Sequence, residues 1–509
     1  MIAKVFSSAV VGIEAYVVDV EVDISQGLPS FTTVGLAEGA VRESKERVKA
    51  AIANSGYYFP SDRITVNLAP ADIKKEGSAF DLPIAIGILA ATGLTDRSSY
   101  QDYIFLGELA LDGIIRPIRG TLPIAIAAKK LGIKGIFLPS ENASEAAVVR
   151  GIDIYPVRSL SQVVEILKGL SRVDPYQVGI DELFQRPDSD VDFMDVRGQE
   201  NAKRAMEISA AGGHNLIMIG PPGSGKTMLA RRLPTILPFL SFEESLETSK
   251  IYSVMGLMPK GAGLITIRPF RSPHHTISDA GLIGGGHIPR PGEVSMAHNG
   301  VLFLDELPEF RKNVLEVLRQ PMEDGVVTIS RAASTVTYPA NFMLVAAMNP
   351  CPCGFLGDMK RECTCSFLQI HRYRAKISGP LMDRIDIHLE VPSVEYKELS
   401  DDHNGVSSSA ILDRVVKARD IQSNRFRDMN IHVNSDMGTL QIKRFCKIDK
   451  ESDSLLEKAM ERFGFSARAH ARILKIARTI ADLDGSENIE PPHVAEAIQY
   501  RTLDRKMLG

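Results

Sequence analysis

The segment Gly220-Pro-Pro-Gly-Ser-Gly-Lys-Thr227 directly follows the apolar run Leu216-Ile-Met-Ile219, and a helical pattern from Lys226 to Leu233 comes next. Strand, glycine-rich turn and helix in this order are typical of a phosphate-binding loop, in which backbone N–H groups and the helix N-terminus surround the phosphates. A glycine-rich turn with a chance lysine is the alternative, which the flanking strand and helix disfavour. The predicted nucleotide-binding residues are Gly220, Pro221, Pro222, Gly223, Ser224, Gly225, Lys226 and Thr227.

Two carboxylates come directly after a second buried strand. Val301-Leu-Phe-Leu304 is followed by Asp305 and Glu306, so both acids lie at a carboxyl end, where ligands of open α/β sheets bind. Lys226 is expected to neutralise the β- and γ-phosphates of ATP, and Thr227 and Asp305 to coordinate Mg²⁺. Glu306 is expected to polarise the attacking water. An acidic pair capping a helix is the alternative interpretation.

A third strand ends in the stretch Ala346-Ala-Met-Asn-Pro350. If it lies beside the strand that carries Asp305, the amide of Asn349 can orient the water near the γ-phosphate. Taken alone, an Asn-Pro pair is more often a turn. We therefore predict that Asn349 is a catalytic residue, on the condition that the two strands are neighbours.

The bulk properties indicate a modular protein rather than one domain. At 509 residues the chain is longer than one hydrophobic core can support, so we predict two to four domains. The net charge of −4 does not favour nucleic acid at the whole-chain level, so basic patches must be sought by region. The N-terminus lacks a signal-peptide pattern and no apolar run reaches membrane-spanning length, which predicts a cytoplasmic protein without a membrane partner.

The pattern of apolar residues divides the chain into three domains. Residues 1–170 alternate strand and helix patterns and predict a mixed α/β domain. Residues 171–192 lose apolar periodicity and predict a linker. Residues 193–391 alternate strands and helices around the glycine loop and predict a parallel-sheet core, whereas residues 392–509 predict a helical domain.

From Asp305 through Asn349 to Gly379-Pro-Leu-Met-Asp-Arg-Ile-Asp386, the sequence resembles the AAA+ branch that contains magnesium chelatase motor subunits and minichromosome maintenance helicases. The resemblance implies that Arg384 is an arginine finger and that Arg468 is a sensor-two arginine. It also implies a ring, because a finger reaches the ATP of the neighbouring subunit. An ordinary surface salt bridge is the alternative for Arg384, and a solvated basic helix face is the alternative for Arg468.

Three further stretches resemble the narrower ComM/YifB family of Mg-chelatase-like ATPases along the whole chain. The resemblance implies an ATP hydrolase that works as a homo-hexameric helicase and promotes branch migration in natural transformation and DNA recombination. Its implied partner is single-stranded and branched DNA. A chelatase-like remodeller that acts on a protein partner is the alternative. The stretches are Val34-Gly-Leu36 through Val41-Arg-Glu-Ser-Lys-Glu-Arg47, Asn67 through Asp81, and Arg271-Ser-Pro-His-His275.

In that family the first domain is similar to the Lon protease domain, which uses a Ser–Lys dyad. The positions that match the Lon serine and lysine are Ala79 and Leu122, and Ser78 is one place away. A nucleophile without its base is inert near neutral pH. We therefore expect a Lon-protease-like fold without proteolytic activity, used for scaffolding or for DNA contact.

Four of the five cysteines are crowded just after Asn349. The number of thiols suits tetrahedral Zn²⁺, and the glycine-containing loop that carries them has no apolar core of its own, which a metal would order. The C-x-C spacing is less common than C-x2-C in zinc sites, and free cysteines packed as small hydrophobic residues are the alternative. The candidate ligands are Cys351, Cys353, Cys363 and Cys365.

A long insertion, Ile267 to Asn299, separates the glycine loop from Asp305 and carries several basic side chains. A predicted hairpin follows, from Val326 to Tyr338, with Arg331 at or near its tip. The family resemblance implies that both elements line a pore and grip DNA. A surface arginine and a packed or capping histidine pair are the alternatives. The candidate DNA-binding residues are Arg271, His274, His275, Arg290 and Arg331. The insertion also contains His287, and Lys360 adds positive charge around the cysteine loop.

Overall fold

The computed structural model describes residues 1–35, 41, 43–71, 75, 77–179, 183–184, 191–286, 289–331, 334–358, 361–393 and 405–503. The chain forms two compact units. The first comprises Met1–Gln185 and Ser241–Thr266, and the second comprises Arg186–Leu240 and Ile267–Gly509. No helix of the described ranges has the length and apolarity needed to cross a membrane.

The first unit is built on a seven-stranded sheet with the order β3-β4-β2-β1-β5-β8-β9. Strand β1 pairs antiparallel with β2, and β2 with β4, whereas the other pairs are parallel. Strands β6 and β7 form a separate antiparallel hairpin that is not part of this sheet. The strands are β1 Ile2–Val11, β2 Glu14–Ser25, β3 Ser30–Val34, β4 Arg63–Ala69, β5 Tyr103–Phe105, β6 Glu108–Leu109, β7 Ile115–Arg116, β8 Gly135–Pro139 and β9 Asp153–Val157.

Apolar and acidic residues alternate along β2 from Val18 to Ile24, and Val18, Val20 and Val22 are fully buried, as in a strand with one face in the core. The sequence pattern did not predict the helix Asp81–Ala91, which is apolar on nearly every face and buried along almost its whole length. Such a helix lacks the amphipathic period by which surface helices are recognised. The helices of this part are α1 Ser44–Asn54, α2 Asp81–Ala91, α3 Thr121–Lys130, α4 Ala143–Ala147 and α5 Leu160–Leu167.

The second unit contains a five-stranded parallel sheet with the order β11-β14-β17-β10-β18. The sequence analysis missed the two outer strands, β11 and β18, because they are only two and four residues long. Two separate hairpins accompany this sheet: β12–β13 lies within the basic insertion, and β15–β16 confirms the predicted hairpin. The strands are β10 Leu216–Ile219, β11 Phe270–Arg271, β12 Gly284–Gly285, β13 Arg290–Pro291, β14 Val301–Leu304, β15 Val326–Arg331, β16 Ser334–Pro339, β17 Met343–Met348 and β18 Ile387–Glu390.

Helices surround this sheet and continue to the C-terminus, as the sequence predicts. Their core is continuous with that of the sheet, because Leu216 and Val345 belong to the same buried cluster as Ile476 and Val494. The helices of the second unit are α6 Glu200–Gly212, α7 Lys226–Arg232, α9 Asp279–Ile283, α10 Glu293–Met296, α11 Lys312–Glu316, α12 Pro321–Asp324, α13 Phe367–Arg374, α14 Gly379–Met382, α15 Ser408–Arg425, α16 Thr439–Phe445, α17 Lys450–Phe463, α18 Ala467–Leu483 and α19 Pro491–Gln499, and α8 Phe242–Met255 belongs to the first unit.

Helix α8 belongs to the first unit although its sequence lies between α7 and β11. A capping box at Ser241 and Glu244 starts the helix. Near its end, Ser253 accepts a hydrogen bond from the backbone N–H of Gly120 at 3.0 Å, and its hydroxyl accepts one from Leu122 at 3.3 Å. Short-range sequence patterns do not reveal this arrangement, because it depends on contacts between residues more than 100 positions apart.

Candidate functional site

The glycine loop connects β10 to α7 at the carboxyl edge of the parallel sheet. Gly220 passes so close to the neighbouring chain that a β-carbon would stand 2.0 Å from the carbonyl oxygen of Val391. Only glycine fits there. The backbone of the loop therefore curves tightly, as a phosphate-binding loop requires, and α7 begins directly after it.

The Lys226 side chain lies inside the loop. Its Nζ donates to the carbonyl oxygens of Gly220 and Pro221, both at 2.8 Å, and lies 3.3 Å from Oδ1 of Asn349. Burial lowers the pKa of the Lys226 ammonium, and the nearby charge of Asp305 opposes that shift. The ammonium is thus a buried cation at the point where a phosphate chain would be expected.

The order of the strands brings the other predicted residues to Lys226. Strand β17 lies between β10 and β14, and carboxyl ends of parallel neighbours meet at one edge of a sheet. Asn349 and Asp305 therefore flank the glycine loop. The Thr227 hydroxyl donates to Oδ2 of Asp305 at 2.6 Å, and such adjacent hydroxyl and carboxylate oxygens suit Mg²⁺, which prefers hard oxygen ligands.

Glu306 directly follows Asp305 and has a positive backbone φ of 54°, which is uncommon for a residue other than glycine. Its side chain is 57% exposed, and His275 Nδ1 lies 3.2 Å from its Oε2. The His275 ring also lies 4.1 Å from that of His274. The structure thus places His275, predicted as a DNA contact, beside the predicted catalytic acid, whereas His274 is exposed.

Arg384 lies at the opposite edge of the sheet from the glycine loop. Its carbonyl oxygen accepts from the side chain of Asn215 at 3.1 Å, at the amino end of β10. Asn215 and Gly220 are separated by about 16 Å, from roughly 3.3 Å per strand residue. The guanidinium pairs with Glu323 and donates to the carbonyl oxygen of Pro380, so it does not reach the glycine loop of its own chain.

Arg468 is found on the same side as Arg384. Its side chain is 67% exposed, and Nη1 lies 3.5 Å from Oδ2 of Asp383, the residue before Arg384. It begins α18, where Ser466 provides the N-cap. Arg384 and Arg468 thus lie close to each other. Both lie at the edge of the sheet opposite Lys226 and Asp305.

The four clustered cysteines converge after Asn349. Their sulfur atoms all lie within 4.8 Å of one another, with Sγ–Sγ distances of 3.3 Å for Cys351–Cys353 and 3.6 Å for both Cys351–Cys363 and Cys353–Cys363. A tetrahedral zinc with Zn–S bonds of about 2.3 Å has S–S edges of about 3.8 Å. A backbone hydrogen bond from Phe355 is the main cause that lowers the pKa of Cys353 to about 6. At Cys363 and Cys365, a backbone hydrogen bond is outweighed by burial and the neighbouring thiols, which raise the pKa of Cys363 and raise the pKa of Cys365 to about 12.

The predicted DNA-binding residues fall into two groups. Arg290 in β13 and Arg331 in β15 are exposed on hairpins that touch, because the Tyr338 hydroxyl donates to the carbonyl oxygen of Pro289 at 2.7 Å. Arg271 instead makes a two-pronged ion pair with Glu293, at 2.6 and 2.7 Å. His287 and Lys360 lie outside the described residues.

In the first unit, the hydroxyl of Ser78 donates to the carboxylate of Glu108. Leu122, at the position of the Lon lysine, is fully buried in α3. Lys75 is also buried and donates to the carbonyl oxygen of Pro70. The partner of the Ser78 hydroxyl is therefore a carboxylate rather than an amine.

One residue of the nucleotide site was missed by the sequence analysis. Gln199 has a positive φ of 56° and precedes α6, and its amide Nε2 donates to the carbonyl oxygen of Ser224 at 2.7 Å. The Gln199 side chain therefore fixes the backbone of the glycine loop at Ser224. The only available signal was a polar residue after Gly198 at the start of a helix, which is too common to single it out.

Three family profiles match the chain. Residues 192–399 match magnesium chelatase, subunit ChlI, and residues 405–501 match the magnesium chelatase subunit ChlI C-terminal profile. Residues 20–142 match the profile described as subunit ChlI of Mg-chelatase. The first of these ranges contains the glycine loop, both acids and the cysteine cluster.

Full-length relatives extend these matches. The chain is 44% identical to competence protein ComM of Haemophilus influenzae, over 99% of this chain and 98% of the relative. It is also 44% identical to the YifB protein of Escherichia coli, over 99% and 98% respectively. A Lon protease of Koribacter versatilis is 27% identical over 160 residues, which cover 29% of this chain and 19% of that protease.

Proposed function

Because this chain belongs to the ComM/YifB family of Mg-chelatase-like proteins, we propose that it is an ATP-driven, homo-hexameric motor that moves branched DNA. The arrangement of Lys226, Thr227, Asp305 and Asn349 at one sheet edge carries the proposal. One edge of the sheet thus joins a cation that can bind phosphate, oxygen ligands for Mg²⁺ and an amide that can orient water. The relative in H. influenzae is named a competence protein, which supports a role in the uptake or recombination of DNA.

The proposed cofactors are ATP with Mg²⁺, and Zn²⁺ on the cysteine cluster. Thr227 and Asp305 would hold Mg²⁺, which screens the phosphate charge when bound. Lys226 binds the β- and γ-phosphates, and Glu306 accepts a proton from the water that attacks the γ-phosphate. Asn349 orients that water but takes no part in the proton transfer. Proteolysis forms no part of the proposal.

The position of Arg384 supports a site shared between subunits, and the family resemblance implies that the ring has six of them. The backbone of Arg384 contacts Asn215, which lies some 16 Å from Gly220 at roughly 3.3 Å per residue along β10, so we infer that its guanidinium acts at the nucleotide of another subunit rather than at its own. Its guanidinium would stabilise the charge that develops on the transferred phosphoryl group. Arg468 lies on the same side and would act in the same neighbouring site.

The proposed DNA surface comprises the two touching hairpins. Arg290 and Arg331 are exposed there, and arginines that follow the phosphate backbone provide the sequence-independent grip that translocation requires. His274 is a further candidate. Arg271 and His275 are weaker candidates, since both contact acidic side chains of the chain itself.

A second candidate function is the remodelling of a protein partner. It is supported by the match of residues 192–399 to a magnesium chelatase subunit profile. The two functions use the same ATP site and differ in the substrate that the ring holds. A substrate test therefore separates them, whereas an ATPase assay alone does not.

The deciding experiment measures ATP-dependent migration of a synthetic four-way DNA junction by wild type, Glu306→Gln and Glu309→Gln. Glu309 is a nearby, half-exposed acid that pairs with Lys376, which makes it a matched control. Glu306→Gln should bind ATP, lose at least about 100-fold in ATP turnover and leave the junction unmoved. Wild-type protein that hydrolyses ATP but moves no branched DNA would favour the remodeller.

A further inference from the structure

The cysteine cluster adjoins the nucleotide site through the chain itself. Cys351 is fully buried and follows Asn349 by two residues. The side chain of Asn349 in turn lies 3.3 Å from Nζ of Lys226. Any shift of Cys351 is therefore passed directly to the amide that faces the phosphate-binding lysine.

A second contact joins the cysteine loop to the glycine loop. Gly354 has a φ of +87°, and a β-carbon there would stand 2.5 Å from Cδ of Pro222 and 3.9 Å from Cγ of Asn349. The backbone of the cysteine loop thus lies directly against the phosphate-binding loop. Gly357, in the same loop, has a φ of +81° but no atom within 4 Å of its β-carbon position.

The far end of the loop is tied to the same region. Ser366 follows Cys365 and caps α13, and Arg374 at the end of this helix donates to the carbonyl oxygen of Pro350 at 3.2 Å. The two ends of the loop are thus held beside each other. The four thiols lie where these ends meet.

Little apolar burial holds the loop in place. Among the described residues from 351 to 365, only Cys351 and Gly354 are buried. Hydrophobic stabilisation scales with the apolar area removed from water, so it is small here. Four thiolates around one metal ion would supply the missing cross-link, since metal binding to such a site is itself folding free energy.

We propose that a Zn²⁺ ion held by the four cysteines acts as a clamp that sets Asn349 and Pro222 against the nucleotide, so that metal occupancy regulates ATP turnover. This regulation rests on the ATP hydrolysis proposed above. Loss of the ion frees the loop from the glycine loop and displaces the water-orienting amide. The protein is then a motor that stops when zinc is withdrawn.

The test uses the full chain without DNA, purified in Zn²⁺-containing and in chelator-treated forms. Three quantities are measured: zinc per chain, affinity for a fluorescent ATP analogue, and the rate of ATP hydrolysis. Wild type should hold about one zinc per chain, and removal should lower turnover by at least about tenfold. Added Zn²⁺ alone should restore turnover. The double variant Cys363→Ser with Cys365→Ser should behave as the zinc-free form.

Two matched controls separate the clamp from damage to the fold. Cys446→Ser changes the one cysteine outside the cluster and should leave zinc content and turnover at wild-type values. Gly354→Ala should keep zinc but lower turnover and nucleotide affinity, because the new β-carbon collides with Pro222. Gly357→Ala has the same backbone conformation in open space and should leave turnover and affinity intact.

The outcomes distinguish this inference from the proposed function. Wild type without zinc, or zinc removal that changes neither turnover nor nucleotide affinity, overturns the clamp. Zinc-dependent turnover without junction movement leaves the clamp in place and contradicts the DNA motor. If no ATP hydrolysis occurs at all, zinc-dependent affinity for the ATP analogue still supports the clamp, and zinc-independent affinity overturns it.

Discussion

His275 Nδ1 lies 3.2 Å from Oε2 of Glu306. The two residues are brought together because β11 and β14 are parallel neighbours, so the segments that follow them leave the sheet at one edge. A residue of the basic insertion thus touches the predicted catalytic acid. The contact links the insertion directly to the proposed ATP site.

Replacing His275 with alanine should lower the turnover number for ATP, because Glu306 loses the partner that orients its carboxylate. We expect a fall of about tenfold with little change in KM. His274→Ala is the matched control, since that exposed ring stacks on His275 and its Nδ1 bonds to Thr276 rather than to Glu306. Unchanged turnover combined with weaker DNA binding would instead assign His275 to DNA.

Replacing Arg331 with glutamate should weaken DNA binding and leave DNA-free ATP hydrolysis unchanged. The slope of log affinity against log salt should fall by about one for each DNA phosphate that the variant no longer binds. Arg427→Glu reverses a charge at another exposed position and serves as the control. Fluorescence anisotropy with a single-stranded oligonucleotide over a salt series measures both quantities, and equal slopes for the two variants would remove Arg331 from the DNA surface.

Replacing Arg472 with alanine should destabilise the second unit. Burial opposes the ionisation of Asp386, but Arg472 and His214 outweigh it and hold the pKa of this carboxyl well below its usual range. Removing one partner of a buried ion pair costs about 3–5 kcal/mol. Denaturant unfolding measures the loss, and Arg468→Ala, at a side chain that is 67% exposed, should cost far less.

The same pair predicts the direction of a pH dependence. Because the folded-state pKa of Asp386 is depressed, its contribution to stability is present above the ordinary aspartate pKa of about 3.9 and is lost as pH falls towards the folded value. In Arg472→Ala the folded-state pKa of Asp386 is less depressed, so the acid-dependent loss of stability should be smaller than in wild type and should be complete at a higher pH. Parallel acid-unfolding curves for variant and wild type would contradict this assignment.

Glu145 predicts the opposite pH dependence in the first unit. Burial raises the pKa of this carboxyl to about 7, so its folded state favours the proton. The corresponding stability is present below the unfolded glutamate pKa of about 4.3 and is lost as pH rises through the folded value near 7. Glu145→Gln should therefore raise the melting temperature more at pH 8 than at pH 5.5.

The exposed neighbour Glu141 supplies the control for that measurement. Glu141→Gln should shift the melting temperature equally little at both pH values. A Glu145→Gln variant that is less stable than wild type at pH 8 would show that the ionised carboxylate stabilises the fold through Asn142, whose side-chain amide donates to it at 2.8 Å.

The sequence predicted those parts of the site that depend on local pattern. Lys226, Thr227, Asp305 and Asn349 stand in short motifs at strand ends, and a parallel sheet brings strand ends together wherever its order permits. The periodic spacing of apolar residues likewise predicted the C-terminal helices. Short motifs and periodic spacing can both be read from residues that are close together in the sequence.

The remainder depends on contacts between distant segments. The pairing of His275 with Glu306 requires the position of β11, a strand of two residues that carries no period of its own. The placement of α8 in the first unit depends on Ser253 meeting Gly120. The buried helix α2 was missed because uniform burial removes the amphipathic signal.

The proposal that a neighbour's Arg384 completes the ATP site is tested most directly by mixing two inactive variants. Glu306→Gln lacks the catalytic acid but keeps Arg384, whereas Arg384→Ala keeps the acid, so a mixed ring contains some interfaces in which both residues are intact. If the arginine acts between subunits, assembly from equal amounts should restore ATP hydrolysis to about a quarter of the wild-type rate, as random placement around a symmetric ring requires. A mixture that hydrolyses ATP no faster than the mean of the two variants measured separately would contradict the shared site.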